Sequence, residues 1–330
     1  MPVFGAKWPI GLAERLGDDG AVDDAAVDSA IEALREVQVA ALAHQTVELV
    51  VLATSAVREA ANGSQVCEEA KRRLGLDVTI LGGQEEAEFT FLAARRWLGW
   101  QAGPILMLDI GGGSFEIAYG RNEHPELAVS LPLGAGRLTR AFPNSDPPRP
   151  AEVRETKDHA REVIDEVADR LRWVGPAAEV VGTSSTFRRL ARLTGGPPRR
   201  EGPFVARQVH HRSLRRLIPE LASMTISQRA KLKGVSESRA SQILAGAIVA
   251  EAAMSAFEVK TLSVSPWALR EGILLQRLDA LRGSASMRAT KLVEAATQSI
   301  GTIRPKARRR LPDLASLAHH QAEVSDMDGR

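Results

Sequence analysis

Ile105-Leu106-Met107-Leu108-Asp109-Ile110-Gly111-Gly112-Gly113-Ser114-Phe115-Glu116-Ile117-Ala118-Tyr119 is the most informative stretch of the 330-residue chain. Ile105 to Ile110 is short and apolar apart from Asp109, the pattern of a strand buried on both faces. Gly111-Gly112-Gly113 turns the chain sharply, and Phe115 to Tyr119 returns as the hairpin partner. A carboxylate thus ends a buried strand, and the glycines after it let backbone N–H groups approach a ligand closely. Such a concave set of donors suits a phosphate. Asp109 would repel phosphate oxygens, so a Mg²⁺ ion or its water shell is expected between them. The plain alternative is a glycine hairpin with a solvated aspartate at its end, although three consecutive glycines weaken a hairpin.

Working outward, the chain alternates between two hydrophobic periods. Val22 to His44 carries Val27, Ile31, Leu34, Ala41 and Leu42 near helical spacing, which predicts an amphipathic helix. Val47 to Ala53 is mostly apolar and reads as a strand buried on both faces. A helix near Ser64 to Leu74, a strand at Asp77 to Leu81 and a helix from Glu85 to Leu98 follow. The alternation predicts an α/β fold with a largely parallel sheet. Gly99 to Pro104 interrupts it as a domain junction. Beyond the glycine hairpin come a proline-rich loop (Pro143 to Pro150), a long helix to Arg172, a strand at Glu179 to Gly182 and a run of helices. A last strand (Val259 to Ser265) leads to Pro266, suited to the first position of a helix reaching Arg282. The expected organisation is a first domain over 1–100, a second over 101–282 and a disordered tail over 283–330. In that tail periodicity fades, and Arg304 to Arg310 is basic.

Composition narrows the function classes. The 44% hydrophobic and 25% charged content is that of a globular protein. The 43 basic residues against 41 acidic ones leave +2, so no overall field recruits nucleic acid or a membrane surface. A single cysteine, Cys67, excludes an internal disulfide and a cysteine metal cluster, and suits a reducing cytoplasm. Apolar stretches fall short of the ~20 residues of a membrane span. Met1 to Gly17 has charges and Pro9 where a signal peptide would be apolar. A cytoplasmic location is the expectation.

Other residues could join Asp109. Glu85 and Glu86 follow Gly82-Gly83 where a helix begins. Acids there complement the helix dipole, and one of them could instead act as a general base orienting water for attack on phosphorus. Thr54-Ser55-Ala56-Val57-Arg58 follows a strand at the end where open α/β sheets bind ligands. Arg58 could grip a phosphate bidentately or be an ordinary loop arginine. Gly182-Thr183-Ser184-Ser185-Thr186 holds the matching place later in the chain, and its hydroxyls could bind phosphate or cap a helix. His210-His211 and His319-His320 lack metal-pair spacing, and Cys67 reads as a small buried residue.

Six segments, in order and at matching spacing, resemble the exopolyphosphatase/guanosine pentaphosphate phosphatase family. They are ATSAVREAANG (Ala53 to Gly63), GGQEEAEF (Gly82 to Phe89), LDIGGGSFEI (Leu108 to Ile117), LPLGAGRLT (Leu131 to Thr139), VGTSSTFRRLA (Val181 to Ala191) and SPWALREGIL (Ser265 to Leu274). The resemblance spans roughly Leu16 to Arg282 and is to the family's short form. It implies a two-domain actin-like ATPase and sugar-kinase (ribonuclease H-like) fold closing over a phosphate cleft. It makes Glu86 the catalytic base, with Asp109 and Glu116 organising Mg²⁺ and the attacking water. Arg58 and Gly111, Gly112, Gly113 and Ser114 would hold the terminal phosphate, with Thr183, Ser184 and Arg270 as further substrate contacts. Arg137 and Arg188 would extend the track.

The sequence departs from the family in three places. Nothing matches an opening Asp-x-Gly-Ser-Asn-Ser loop, Glu88 stands where arginine is common, and Ser185 replaces a common glycine. The expectation is a first domain lacking its first strands, and an upstream in-frame extension of about 25–35 codons encoding two or three short strands. The leading function is release of orthophosphate from the end of inorganic polyphosphate. The alternatives are a guanosine pentaphosphate phosphohydrolase of the stringent response and a catalytically impaired phosphate- or nucleotide-binding regulator. No specific nucleic-acid or membrane partner is expected, and a homodimer is compatible with this reading.

Overall fold

The computed structural model describes residues 4–282 apart from Pro9, Asp18, Pro143 and Asn144. The tail over 283–330, including Arg304 to Arg310 and His319-His320, lies outside the described residues. Met1–Arg277 forms one compact unit, and the fold below is that unit's.

The first helix, α1 (Asp24–Ala43), starts where the Asp23 carboxylate accepts the Ala26 N–H. It buries Ala26, Val27 and Ile31 against Val66 and Ala70 of α3 (Gly63–Leu74). Between them lie β1 (Val51–Ala53) and the single turn α2 (Ser55–Arg58). β1 pairs in parallel with β2 (Val78–Ile80) as a two-stranded sheet. The expected strand over Val47 to Ala53 is therefore shorter and less buried than its apolar sequence suggests. Val47 and Val50 are exposed, because β1 has no strand partner other than β2 among the described residues.

α4 (Gly83–Leu98) leads into β3 (Ile105–Ile110), which turns through the glycines into β4 (Phe115–Gly120) and β5 (Leu127–Leu131). α5 (Ala135–Ala141), α6 (Pro150–Val174), β6 (Glu179–Gly182) and α7 (Ser184–Leu193) follow. Then come β7 (Gln208–His210), α8 (His211–Ala222), α9 (Ile226–Ala230), α10 (Ile243–Ala256) and β8 (Thr261–Val264). Six of these strands form one sheet in the order β5-β4-β3-β6-β8-β7. It is mixed rather than largely parallel. The loops joining β3, β4 and β5 are far too short for the crossover that a parallel pair requires.

Side chains alternate across this sheet with period two. Leu106, Leu108 and Ile110 of β3, with Phe115 and Ile117 of β4, enter the large core beneath α10 and its neighbours. Ile105, Met107 and Ala118 face the other way and pack against Ala87, Phe91 and Ala94 of α4. That contact corrects the expected boundary near residue 100. α4 packs on the six-stranded sheet, so Gly99 to Pro104 is a turn inside the compact unit, where Arg95 donates to the Gly99 and Gly103 carbonyls. The last helix covers 269–282 rather than starting at Pro266. Glu271 accepts the Ala268 N–H and fixes the start there, while Ser265 Oγ accepts from Trp267 N in a separate turn. Among the described residues no helix is long and apolar enough to cross a membrane.

Candidate active site

The face of the sheet under α4 ends in a polar row. Asp109 of β3 pairs directly with Glu116 of β4, and Glu116 pairs with Ser130 of β5. All three follow the same alternation as Met107, Ala118 and Ala128 and lie on the α4 side. α4 supplies Glu86 above them, buried at the end of the helix face that carries Ala87, Phe91 and Ala94. Gly83 makes this approach possible, since a β-carbon there would sit 2.5 Å from Ser130 Cβ. The period-two strands and the helix start thus bring three carboxylates to one end of the sheet.

Glu85 and Glu86 separate cleanly. Glu85 turns back to accept the Gly82 N–H at 2.7 Å and caps the helix. Glu86 Oε2 accepts from Arg58 Nη1 at 2.5 Å, and the same nitrogen donates to the Leu81 carbonyl at 2.7 Å. Asp109 Oδ2 accepts from the fully buried Thr183 hydroxyl at 2.5 Å, so Thr183 leaves its own helix uncapped. Glu116 Oε1 accepts from Ser130 Oγ at 2.8 Å. Ser184 adopts a φ of 66°, a strained value for a residue with a side chain, and its buried hydroxyl helps hold the Asp109 carboxyl down.

Burial dominates the electrostatics. It raises the Glu86 carboxyl, with the Arg58 hydrogen bond and charge opposing. It pushes Asp109 up to about 6 against the Thr183 hydrogen bond. Glu116 is pushed up to about 8, first by burial and then by the charge of Asp109. Carboxyls tuned toward neutrality in this way can exchange protons at physiological pH.

The glycine loop faces this row. Its carbonyls are taken: Ala135 N donates to Gly111 O, Arg137 N to Gly112 O and Gly134 N to Gly113 O. Gly134 is required there, because a β-carbon would meet the Gly113 backbone at 2.3 Å. Gly111 N donates to Ser114 O, while the N–H groups of Gly112, Gly113 and Ser114 find no protein acceptor among the described residues. Free N–H groups held in a tight loop make an anion-binding concavity. Beside it a cavity of about 560 Å³ is lined by Arg58, Glu59, Gly83, Ser114 and Ser130 among others.

Cations continue from the loop. A β-carbon on Gly112 would lie 3.9 Å from Arg239 Nη1. Burial lowers the Arg188 guanidinium, whose strongest charge partner is Asp109. Lys7 is lowered by burial and by the charges of Arg188, Arg199, Arg270 and Arg189. Arg270 thus stands in a cationic group one step out from the carboxylates rather than among them. Sequence reading missed Glu59, Ser130, Arg239, Arg199 and Lys7. Only the cross-strand register could have picked out Ser130, and the three missed cations come from three separate segments with no shared pattern. His210 Nδ1 is 2.9 Å from Thr261 Oγ1, and His211 Nε2 is 3.2 Å from Glu251 Oε1.

A mixed sheet ending in carboxylates, a helix carrying one more, and a glycine loop with free N–H groups define an actin-like ATPase fold fitted for phosphoryl chemistry. The chain belongs to the Ppx/GppA phosphatase family, whose pattern matches residues 2–281. Exopolyphosphatase 1 of Mycobacterium tuberculosis is 41% identical over 300 residues, which cover 91% of this chain and 87% of that one. Among solved structures, the Aquifex aeolicus Ppx/GppA family member superposes with a TM-score of 0.68 at 26% identity, covering 82% of this chain and 86% of that chain. An exopolyphosphatase from Cytophaga hutchinsonii gives 0.73 at 24% identity, with 80% and 87% covered, and shows the shared fold.

Proposed function

We propose that the protein is an exopolyphosphatase, hydrolysing the terminal phosphoanhydride of inorganic polyphosphate and releasing orthophosphate. The observation that carries the substrate is the run of cations beyond the glycine loop. Lys7 is repelled by Arg188, Arg199 and Arg270, and Arg189 by Arg239, so the group suits a ligand that brings a negative charge at every phosphate.

Arg58 and the N–H groups of Gly112, Gly113 and Ser114 would hold the terminal phosphoryl group. Glu86 takes a proton from water as its oxygen bonds to phosphorus, and the bridging oxygen leaves with the shortened chain. Glu86 is suited to this because burial raises its carboxyl while Arg58 keeps a donor on one oxygen.

The residues present fit Mg²⁺. Asp109 and Glu116 are paired neighbours, each with one oxygen engaged by a hydroxyl, and burial raises both carboxyls, which a cation would relieve. Among the described residues no three His, Cys, Asp or Glu side chains form a cage, and Mg²⁺ is commonly held by one or two carboxylates, waters and substrate phosphates. When bound, it would offset charge on the phosphoryl oxygens. The single cysteine suits a reducing cytoplasm, and a homodimer is compatible with the fold.

Phosphate release from polyphosphate and from guanosine pentaphosphate, measured side by side, tests the substrate. Polyphosphate is the expected winner, and a clear preference for the nucleotide would move the protein to the stringent-response reaction. Glu86→Gln keeps shape and hydrogen bonding but removes the base, and should cost roughly 10²–10⁴-fold in turnover with polyphosphate binding retained. Activity within a few-fold of the parent would end the general-base assignment. Polyphosphate binding with no turnover of either substrate by the parent would favour a regulator.

A further inference from the structure

Glu59 sits in the cleft with no part in the reaction described above. Its Oε2 pairs with Arg137 Nη2, and its Oε1 lies 4.0 Å from Arg58 Nη2. A β-carbon on Gly113 would stand 3.7 Å from Glu59 Oε2, so the carboxylate also abuts the loop with the free N–H groups. It lines the same cavity as Arg58, Ser114 and Ser130. Two guanidinium groups and an anion-binding loop therefore converge on one carboxylate that the protein itself supplies.

A carboxylate and a phosphoryl group present the same feature to arginine, two oxygens matched to the guanidinium fork. Arg137 has donor capacity to spare, because its Nε is buried without a partner. Arg58 is already committed to Glu86 and the Leu81 carbonyl through Nη1, leaving Nη2 on the Glu59 side. An anion entering the cavity meets Arg58 directly, and reaches Arg137 by taking the place of Glu59, which lines the cavity between them.

We propose that Glu59 is a specificity-determining residue whose carboxylate competes with phosphoryl oxygens for Arg137 and Arg58. The proposal rests on reading the cleft as a phosphate site. The competitor carries one negative charge, so a ligand gains by exchange in proportion to the charge it adds beyond that. A polyphosphate end, which continues into the cations around Arg188 and Arg199, displaces it readily. Orthophosphate, the product, has only the cleft itself to gain. Glu59 thereby weakens product retention more than substrate binding.

The test is orthophosphate binding to the full chain by calorimetry, without turnover, in the parent, Glu59→Gln and Glu59→Asp. Removing a partly exposed charge beside the anion should tighten orthophosphate binding in Glu59→Gln by about tenfold. Product inhibition should strengthen in parallel. Glu59→Asp, with its carboxylate withdrawn by one methylene, should fall between the two and serves alone if the glutamine variant does not fold. Unchanged or weaker orthophosphate binding in a folded variant would overturn the proposal, because a merely structural Glu59 would not tighten an anion. Tightened binding in a protein that cleaves no polyphosphate keeps the proposal and removes the exopolyphosphatase reading. Cleavage with unchanged binding does the reverse.

Discussion

Replacing Thr183 by valine isolates one hydrogen bond in the site. Thr183 is fully buried, and its hydroxyl donates to Asp109 Oδ2 at 2.5 Å without capping α7. Valine keeps the shape and removes the donor. A hydrogen bond to a charged group contributes about 1.5–3 kcal/mol, and 1.36 kcal/mol corresponds to one pKa unit. The loss should therefore raise the Asp109 carboxyl by roughly one to two units above its present position near 6. Below that new value Asp109 is neutral and a poor partner for a hard cation or its waters. The expected result is an acid limb of the kcat/KM profile for phosphate release displaced upward by about one to two units. Activity should converge on the parent at alkaline pH, and Thr183→Ser should restore the parent profile. A uniform loss of rate at every pH, with the acid limb unmoved, would refute the reasoning and reduce Thr183 to packing.

Three further outcomes follow from the same geometry. Asp109→Asn should weaken the Mg²⁺ dependence and the activity together, since a neutral amide is a poorer partner for Mg²⁺; an unchanged Mg²⁺ titration removes Asp109 from the cation site. Without divalent cation, the stability contributed by Asp109 and Glu116 should fall as pH rises through about 6 and about 8. The Asp109 and Glu116 carboxyls are raised to about 6 and about 8, so above their ordinary values the folded state holds more protons than the unfolded one. Thermal unfolding across that range reads the slope, and added Mg²⁺ should flatten it. Replacing Lys7 and Arg199 together by methionine should raise KM for long polyphosphate more than for short chains; an equal effect on both would detach these cations from the chain track.

Much of this arrangement was legible in the sequence, for a physical reason. β3 is apolar on both faces apart from Asp109, so one carboxylate among buried residues stands out by its cost. Glycines that permit a close approach are equally visible, and Glu86 and Arg58 sit at element ends that an α/β reading locates. The sequence could not separate Glu85 from Glu86 without the resemblance, because both are first-turn acids; the difference is which of them reaches back to Gly82. It also could not show that β1 would be short. Val47 to Val50 is apolar enough for a buried strand, but burial depends on neighbours supplied by other segments. The same limit hid α4's allegiance, since its apolar face fits either sheet until Phe91 is seen against Ile105 and Met107.

The site repeats one local device. Thr54 and Thr183 each end a parallel strand and begin a helix in nearly the same extended conformation, φ −123° and ψ −156° against φ −105° and ψ −157°. Neither hydroxyl caps its helix. Each helix then carries an arginine toward a carboxylate of the cleft: Arg58 bonds to Glu86, and Arg188 has Asp109 as its strongest charge partner. Glu116 has hydroxyl partners, Ser114 and Ser130, in place of an arginine and is the carboxyl pushed up to about 8. Arginine charge opposes burial at two of these carboxyls, Glu86 and Asp109. One of them lies on the helix side of the cleft and the other on the sheet side. On the proposed mechanism both would be needed charged at the same pH; each has its own arginine to oppose burial, while the charge of Glu86 still raises Asp109.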